Sequence, residues 1–113
     1  MKLSTAAELL ELKTIQGQYT DSIINDAYTS DLLSDVMGNS PDEAVLITIQ
    51  AHKNTVAVAV LKDSPAIIIC NNRSVPEDMI QSAKDENIAV FVSRENQFTV
   101  SGRLFALLEQ ERL

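Results

Sequence analysis

The residues with the means to do chemistry fall in three short polar runs, each directly after an apolar one: Gln50, His52, Lys53 and Asn54, then Cys70, Asn71, Asn72 and Arg73, then Ser93 and Arg94. Together they offer amide, imidazole, ammonium and guanidinium groups, a set suited to holding an anionic or hydrogen-bonding small ligand. A bond-breaking step needs more. His52 has the chemistry of a general base, but no partner group stands at a recognisable spacing from it. Cys70 has no CxxC neighbour and reads as a small buried side chain, not a reactive thiolate. With one His and one Cys in the chain there is no metal-ligand spacing. The three glycines, Gly17, Gly38 and Gly102, are too few and too far apart for a GxxxxGK-S/T phosphate loop or a GxGxxG turn. No catalytic residue, metal or cofactor is therefore assigned. Asp31, Asp35, Asp42 and Glu43 form an acidic group that reads as a solvated surface.

The apolar runs that must position the polar ones are Val45–Ile49, Ala66–Cys70 and Ile88–Val92. They are rich in Val and Ile and apolar on both alternating faces, as strands buried on two sides are. The segments between them are too long for hairpin turns, so the strands are expected to run parallel with helical crossovers. Asn54–Leu61 alternates Val and Ala like a strand. Its alanines and the capping chemistry of Asn54 favour instead a buried helix, apolar all round. Ser74-Val-Pro-Glu77 has capping-box spacing ahead of a helix carrying Met79, Ile80 and Ala83, and Asn87 is placed to close it. If the strands are parallel, the three polar runs share the C-terminal edge of the sheet, where ligands of open α/β sheets bind. Gln50, His52, Lys53, Asn54, Asn71, Asn72 and Arg73 are then the candidate ligand-binding residues, with Asn54 as cap of the helix it opens.

The flanks are less strongly patterned. Thr5 and Glu8 have capping-box spacing ahead of a short helix with Leu9, Leu10 and Leu12. Thr14–Gly17 and Ile23–Thr29 read as brief strands. Leu32, Leu33, Val36 and Met37 have helical spacing, and Gly38-Asn39 is expected to end that helix in a left-handed turn. Val100, Leu104, Leu107 and Leu108 mark the inward stripe of a final helix.

At 113 residues the chain fits one domain, taken as residues 1–113. Sixteen acidic against nine basic residues give a net charge of −7, and the cations are scattered, so a nucleic-acid partner is not expected. No apolar run has the length of a membrane span. The acidic, signal-free N-terminus and the lone cysteine point to a cytoplasmic protein.

The run from Ala44 to Leu108 resembles the DRTGG domain, itself similar to the N-terminal domain of bacterial HPr kinase/phosphorylase. In that family a strand ends in Gly-Asp-Arg, and a second ends in Thr-Gly-Gly before a proline-containing helix start. Here His52-Lys53 stand where Asp-Arg would be, and Cys70-Asn71-Asn72 where Thr-Gly-Gly would be. The stretch from Asp31 to Val60 resembles more closely the small stand-alone DRTGG-like proteins that accompany iron-only hydrogenase genes. The resemblance implies a single α/β domain with a βαβαβα core, a mainly parallel sheet and flanking helices. It further implies a regulatory or ligand-sensing role, self-association as a homodimer, a small-molecule or protein partner, and a kinase label that stems from a non-catalytic domain. The competing reading from another class is an accessory protein of phosphoryl-transfer or hydrogenase function, and a third is a purely structural assembly module.

Overall fold

Strands whose side chains are apolar on both faces need cover on both, and that requirement organises the molecule. A computed structural model describes residues 1–113. In chain order the elements are α1 (Leu3–Leu9), β1 (Lys13–Gln16), β2 (Ala27–Thr29), α2 (Leu33–Asn39), β3 (Val45–Thr48), α3 (Lys53–Leu61), β4 (Ala66–Ile69), α4 (Glu77–Asp85), β5 (Ala89–Val92) and α5 (Gln97–Glu111). One sheet in the order β1-β5-β4-β3-β2 carries them, with β2 to β5 parallel and β1 antiparallel on β5. The three central strands, and the helical state of the Val-Ala segment, are as the residues predict.

Every residue of β3, β4 and β5 is buried. Their alternate side chains divide between two cores. Val45, Ile47, Ile68 and Phe91 pack under α1 and α5, with Leu3, Val100, Leu104 and Leu108. Leu46, Ile67, Ile69 and Val90 pack under α2, α3 and α4, with Val36, Val56, Met79 and Ala83. Each such side chain contributes about 1.5–3 kcal/mol when fully buried, so these layers hold the edge loops in place.

Four local expectations are corrected. Neither capping box forms. The cap position of α1 is Lys2, with no side-chain cap bond, and the Asp21 carboxylate instead accepts from Ser4 N (2.8 Å) and Ser4 Oγ (2.5 Å). α4 starts only at Glu77, because Pro76 holds the cap position with extended backbone and proline disfavours helical geometry in the residue before it, leaving Ser74 too far upstream to cap. α2 runs on through Gly38 and Asn39, with no glycine at positive φ. Its last turn is held by Asn39 Nδ2 donating to Asp35 Oδ1 (2.8 Å), one turn back. Of Ile23–Thr29, only Ala27–Thr29 forms a strand, while Ile23 makes a single bridge to Lys2.

Candidate functional site

The loops after β3, β4 and β5 do lie on one edge of the sheet, as parallel order requires. Their bonding pulls them in different directions. The loop after β3 leans toward the loop after β2. Asp31 Oδ1 accepts from Ile49 N (2.9 Å) and Thr48 Oγ1 (3.1 Å), and its Oδ2 accepts from Gln97 Nε2 (2.9 Å) at the start of α5. Gln50 Nε2 donates to the Asp31 carbonyl (2.9 Å). Burial pushes the Asp31 carboxyl up, but the bonds from Ile49, Gln97 and Thr48 and the nearby Arg73 charge outweigh it and leave its pKa below the ordinary range. Asp31 thus clamps the end of β3 to the start of α5.

The cap of α3 is His52. Its Nδ1 accepts from Asn54 N (3.1 Å), so Asn54 supplies the capped N–H and not the cap. The helix starts at Lys53, two residues before the start that a cap at Asn54 would give, which moves the cap from Asn54 to His52. Nδ1 as acceptor places the ring proton on Nε2. Lys53 instead faces a groove toward α4, with Asp78 and Asp85.

The loop after β4 turns the other way, toward β5 and β1. Asn71 and Asn72 are both left-handed, with φ of 63° and 51°. Asn71 N donates to the Glu95 carbonyl (2.9 Å) and Asn72 N to that of Ser93 (2.8 Å). This pair of turns carries the chain over the end of β5. Asn72, Arg73 and Ser74 thereby meet Lys13 of β1 around a cleft of about 300 Å³, floored by Ile15 and Val92. Lys13 reaches this edge because antiparallel β1 sets it opposite Val92. Of the nine Lys and Arg, only Lys62 and Arg112 stand within ion-pair distance of a carboxylate, so Lys13 and Arg73 have no such partner.

Cys70 is buried, and burial, then the Asp31 charge, pushes its thiol up to about 11, so it is protonated at neutral pH and inert as a nucleophile. The acidic group of the sequence disperses: Asp31 is the clamp, Asp35 accepts from Tyr28 Oη (2.9 Å), and Asp42 pairs with Lys62 (3.4 Å) before β3. Asp31, Lys13 and Ser74 are the site residues that sequence reasoning missed. Asp31 had a usable signal, since it stands two residues after Ile23–Thr29, a run that reads as a strand.

The family model for the HPr Serine kinase N terminus matches residues 47–108, just over half of the chain. The chain belongs to the HPr serine kinase N-terminal family. The chain is 38% identical over 48 residues to the HPr kinase/phosphorylase of Streptococcus equi subsp. zooepidemicus, and 33% identical over 48 residues to that of Streptococcus pyogenes serotype M1. Each match covers 42% of the chain but only 16% of the relative. The fold is shared with the solved CBS and DRTGG domains of the regulatory region of Clostridium perfringens pyrophosphatase, complexed with the activator diadenosine tetraphosphate. That match has a TM-score of 0.67 and 16% identity, and covers 88% of this chain and 44% of the other. The match to HPr kinase is thus to its N-terminal part. No GxxxxGK-S/T phosphate loop occurs in this chain. No helix is long and apolar enough to cross a membrane.

Proposed function

We propose that this chain is a cytoplasmic regulatory domain of the DRTGG type that senses a small ligand on the C-terminal edge of its sheet and performs no chemistry of its own. One observation carries this reading: the loop after β4 is held out over β5 and presents Arg73 exposed, with no carboxylate at ion-pair distance, in a chain of net charge −7. An exposed cation with no carboxylate at ion-pair distance is a point that an anion engages at little desolvation cost near the surface. The other groups of the edge are engaged: His52 caps, Gln50 bonds Asp31, and Cys70 is buried and protonated. That combination fits recognition better than turnover. The regulatory setting of the DRTGG-containing pyrophosphatase supports the same reading.

The test is a thermal-shift screen of the full chain against nucleotides and phosphorylated metabolites. A ligand that binds only the folded state stabilises it by about 2.7 kcal/mol at a hundredfold excess over Kd. A stabilising compound is expected without ATP hydrolysis or serine phosphorylation. Turnover that survives stringent purification would overturn the reading.

The reading includes self-association. Phe98 and Phe105 are 88% and 66% exposed and stand two turns apart on α5, with Gly102 and Ala106, also exposed, on the same face. A two-fold contact between identical copies needs a self-complementary patch, which large side chains beside small ones on one helix face can supply. Sedimentation should show a dimer, and a monomer for the Phe98→Ser/Phe105→Ser double variant.

A further inference from the structure

We propose that the cleft between Lys13 and Arg73 is a phosphomonoester site: the two cations grip the phosphate, Asn72 and Ser74 hydrogen-bond it, and the body of the ligand lies on Ile15 and Val92. This deepens the proposed ligand-sensing role and rests on it.

The chemistry of the lining selects the ligand. A guanidinium and an ammonium on one rim call for a group carrying close to two negative charges, which a phosphomonoester has near neutral pH and a single carboxylate does not. The two arrive from separate elements, Lys13 on β1 and Arg73 after β4, so their convergence is a product of the fold and not of a local charge run. Neither has a carboxylate at ion-pair distance, although acidic residues outnumber basic ones by sixteen to nine. Asn72 and Ser74 add a neutral amide and a hydroxyl, both able to donate to phosphate oxygens.

The backbone fixes where the grip must come from. The N–H groups of Asn71 and Asn72 are spent on the carbonyls of Glu95 and Ser93, so these two amides build the loop and take no part in recognition. Below the polar rim, Ile15 and Val92, with half-buried Val75 and Ile80 beside them, make an apolar floor. Such a floor disfavours free inorganic phosphate as the full ligand and favours an ester with an apolar or aromatic body. The volume of about 300 Å³ lies at the small end of ligand sites, enough for one mononucleotide-sized molecule and too small for an extended one.

The experiment is amide chemical-shift mapping on the full chain, titrated with inorganic phosphate, adenosine 5′-monophosphate and adenosine. The monophosphate is expected to move the amides of residues 13–15, 72–75 and 92, inorganic phosphate to move the same set at tenfold or higher concentration, and adenosine to move none. The Lys13→Gln/Arg73→Gln variant is expected to retain the spectrum of the free protein and to bind the monophosphate at least tenfold more weakly. Shifts centred on residues 50–54, equal response to adenosine, no response to either phosphate, or full binding by the double variant would each overturn the site. Shifts at residues 50–54 would leave the broader ligand-sensing reading standing, whereas only a failed screen across ligand classes removes that one.

Discussion

The loops after β3 and β4 leave adjacent parallel strands at the same edge, yet one is closed upon itself and the other is held open. After β3, nearly every polar group is answered from within. Asp31 takes Thr48, Ile49 and Gln97, Gln50 takes the Asp31 carbonyl, Thr55 Oγ1 donates to the Gln50 carbonyl (2.7 Å), and His52 caps α3. After β4, only the backbone is answered, through two left-handed residues tied to the end of β5, and the side chains of Asn72, Arg73 and Ser74 are left exposed. A loop whose side chains are already bonded contributes to stability and offers little to a ligand. A loop fixed by its backbone alone contributes little through its side chains and has them free for binding. The comparison therefore predicts that substitutions in the two loops separate into stability effects and binding effects.

The largest expected effect is at Asp31. Asp31→Ala leaves Ile49 N–H, the Thr48 hydroxyl and the Gln97 amide without their acceptor, a loss of about 2–3 kcal/mol for a charged hydrogen-bonded group. Urea denaturation measures it, and a loss under 1 kcal/mol would mean that the β3 loop is not closed in the sense argued. Asp31→Asn should lose less, since its amide oxygen still accepts. The same carboxyl gives a pH dependence of fixed sign. Its folded pKa lies below the ordinary value, so its contribution is complete above the unfolded pKa of about 3.9 and is lost as pH falls through the folded value. Between pH 5 and pH 2 the wild type should lose more stability than Asp31→Asn.

Next comes the helix cap. His52→Ala should cost about 1 kcal/mol, the usual value of a lost cap, while Asn54→Ala should stay within about 0.5 kcal/mol because only its backbone N–H takes part. The reverse order would return the cap to Asn54.

What could be read in the sequence follows the range of the interactions involved. β3, β4 and β5 were legible because a strand buried on both faces must be apolar at consecutive positions, and Val45, Ile47, Ile68 and Phe91 on one side with Leu46, Ile67, Ile69 and Val90 on the other satisfy that without reference to the rest of the chain. α3 was legible through its alanines despite Val56, Val58 and Val60. The caps were misread because capping boxes are local patterns, while the partner that Ser4 found is Asp21, seventeen residues on. Lys13 was invisible as a site residue, since nothing in Lys-Thr-Ile-Gln announces an antiparallel pairing with Val92. Asp31 looked like part of an acidic surface because nothing local in Ile23–Thr29, read as a brief strand, shows it to pair in parallel with β3 and so to place Asp31 on the ligand edge. The loop edge was predictable from topology, but the opposite leanings of its loops depend on contacts that no local pattern encodes.

The smallest expected effect is the most discriminating for the open loop. Asn71 and Asn72 stand where the resemblance to DRTGG domains would place two glycines, and both adopt the left-handed backbone that glycine takes freely and asparagine tolerates better than other side chains. Replacing both by glycine relieves a small conformational strain in the folded chain but widens the unfolded ensemble, two effects of opposite sign and each under about 1 kcal/mol. The melting temperature should therefore hardly move. Binding should respond differently at the two positions, because only Asn72 lines the cleft. Asn72→Gly is expected to weaken adenosine 5′-monophosphate binding several-fold, and Asn71→Gly to leave it unchanged. If Asn71→Gly instead destabilises the fold by more than 1 kcal/mol, its side chain is bonded as tightly as those after β3. The two loops would then differ in direction alone and not in kind.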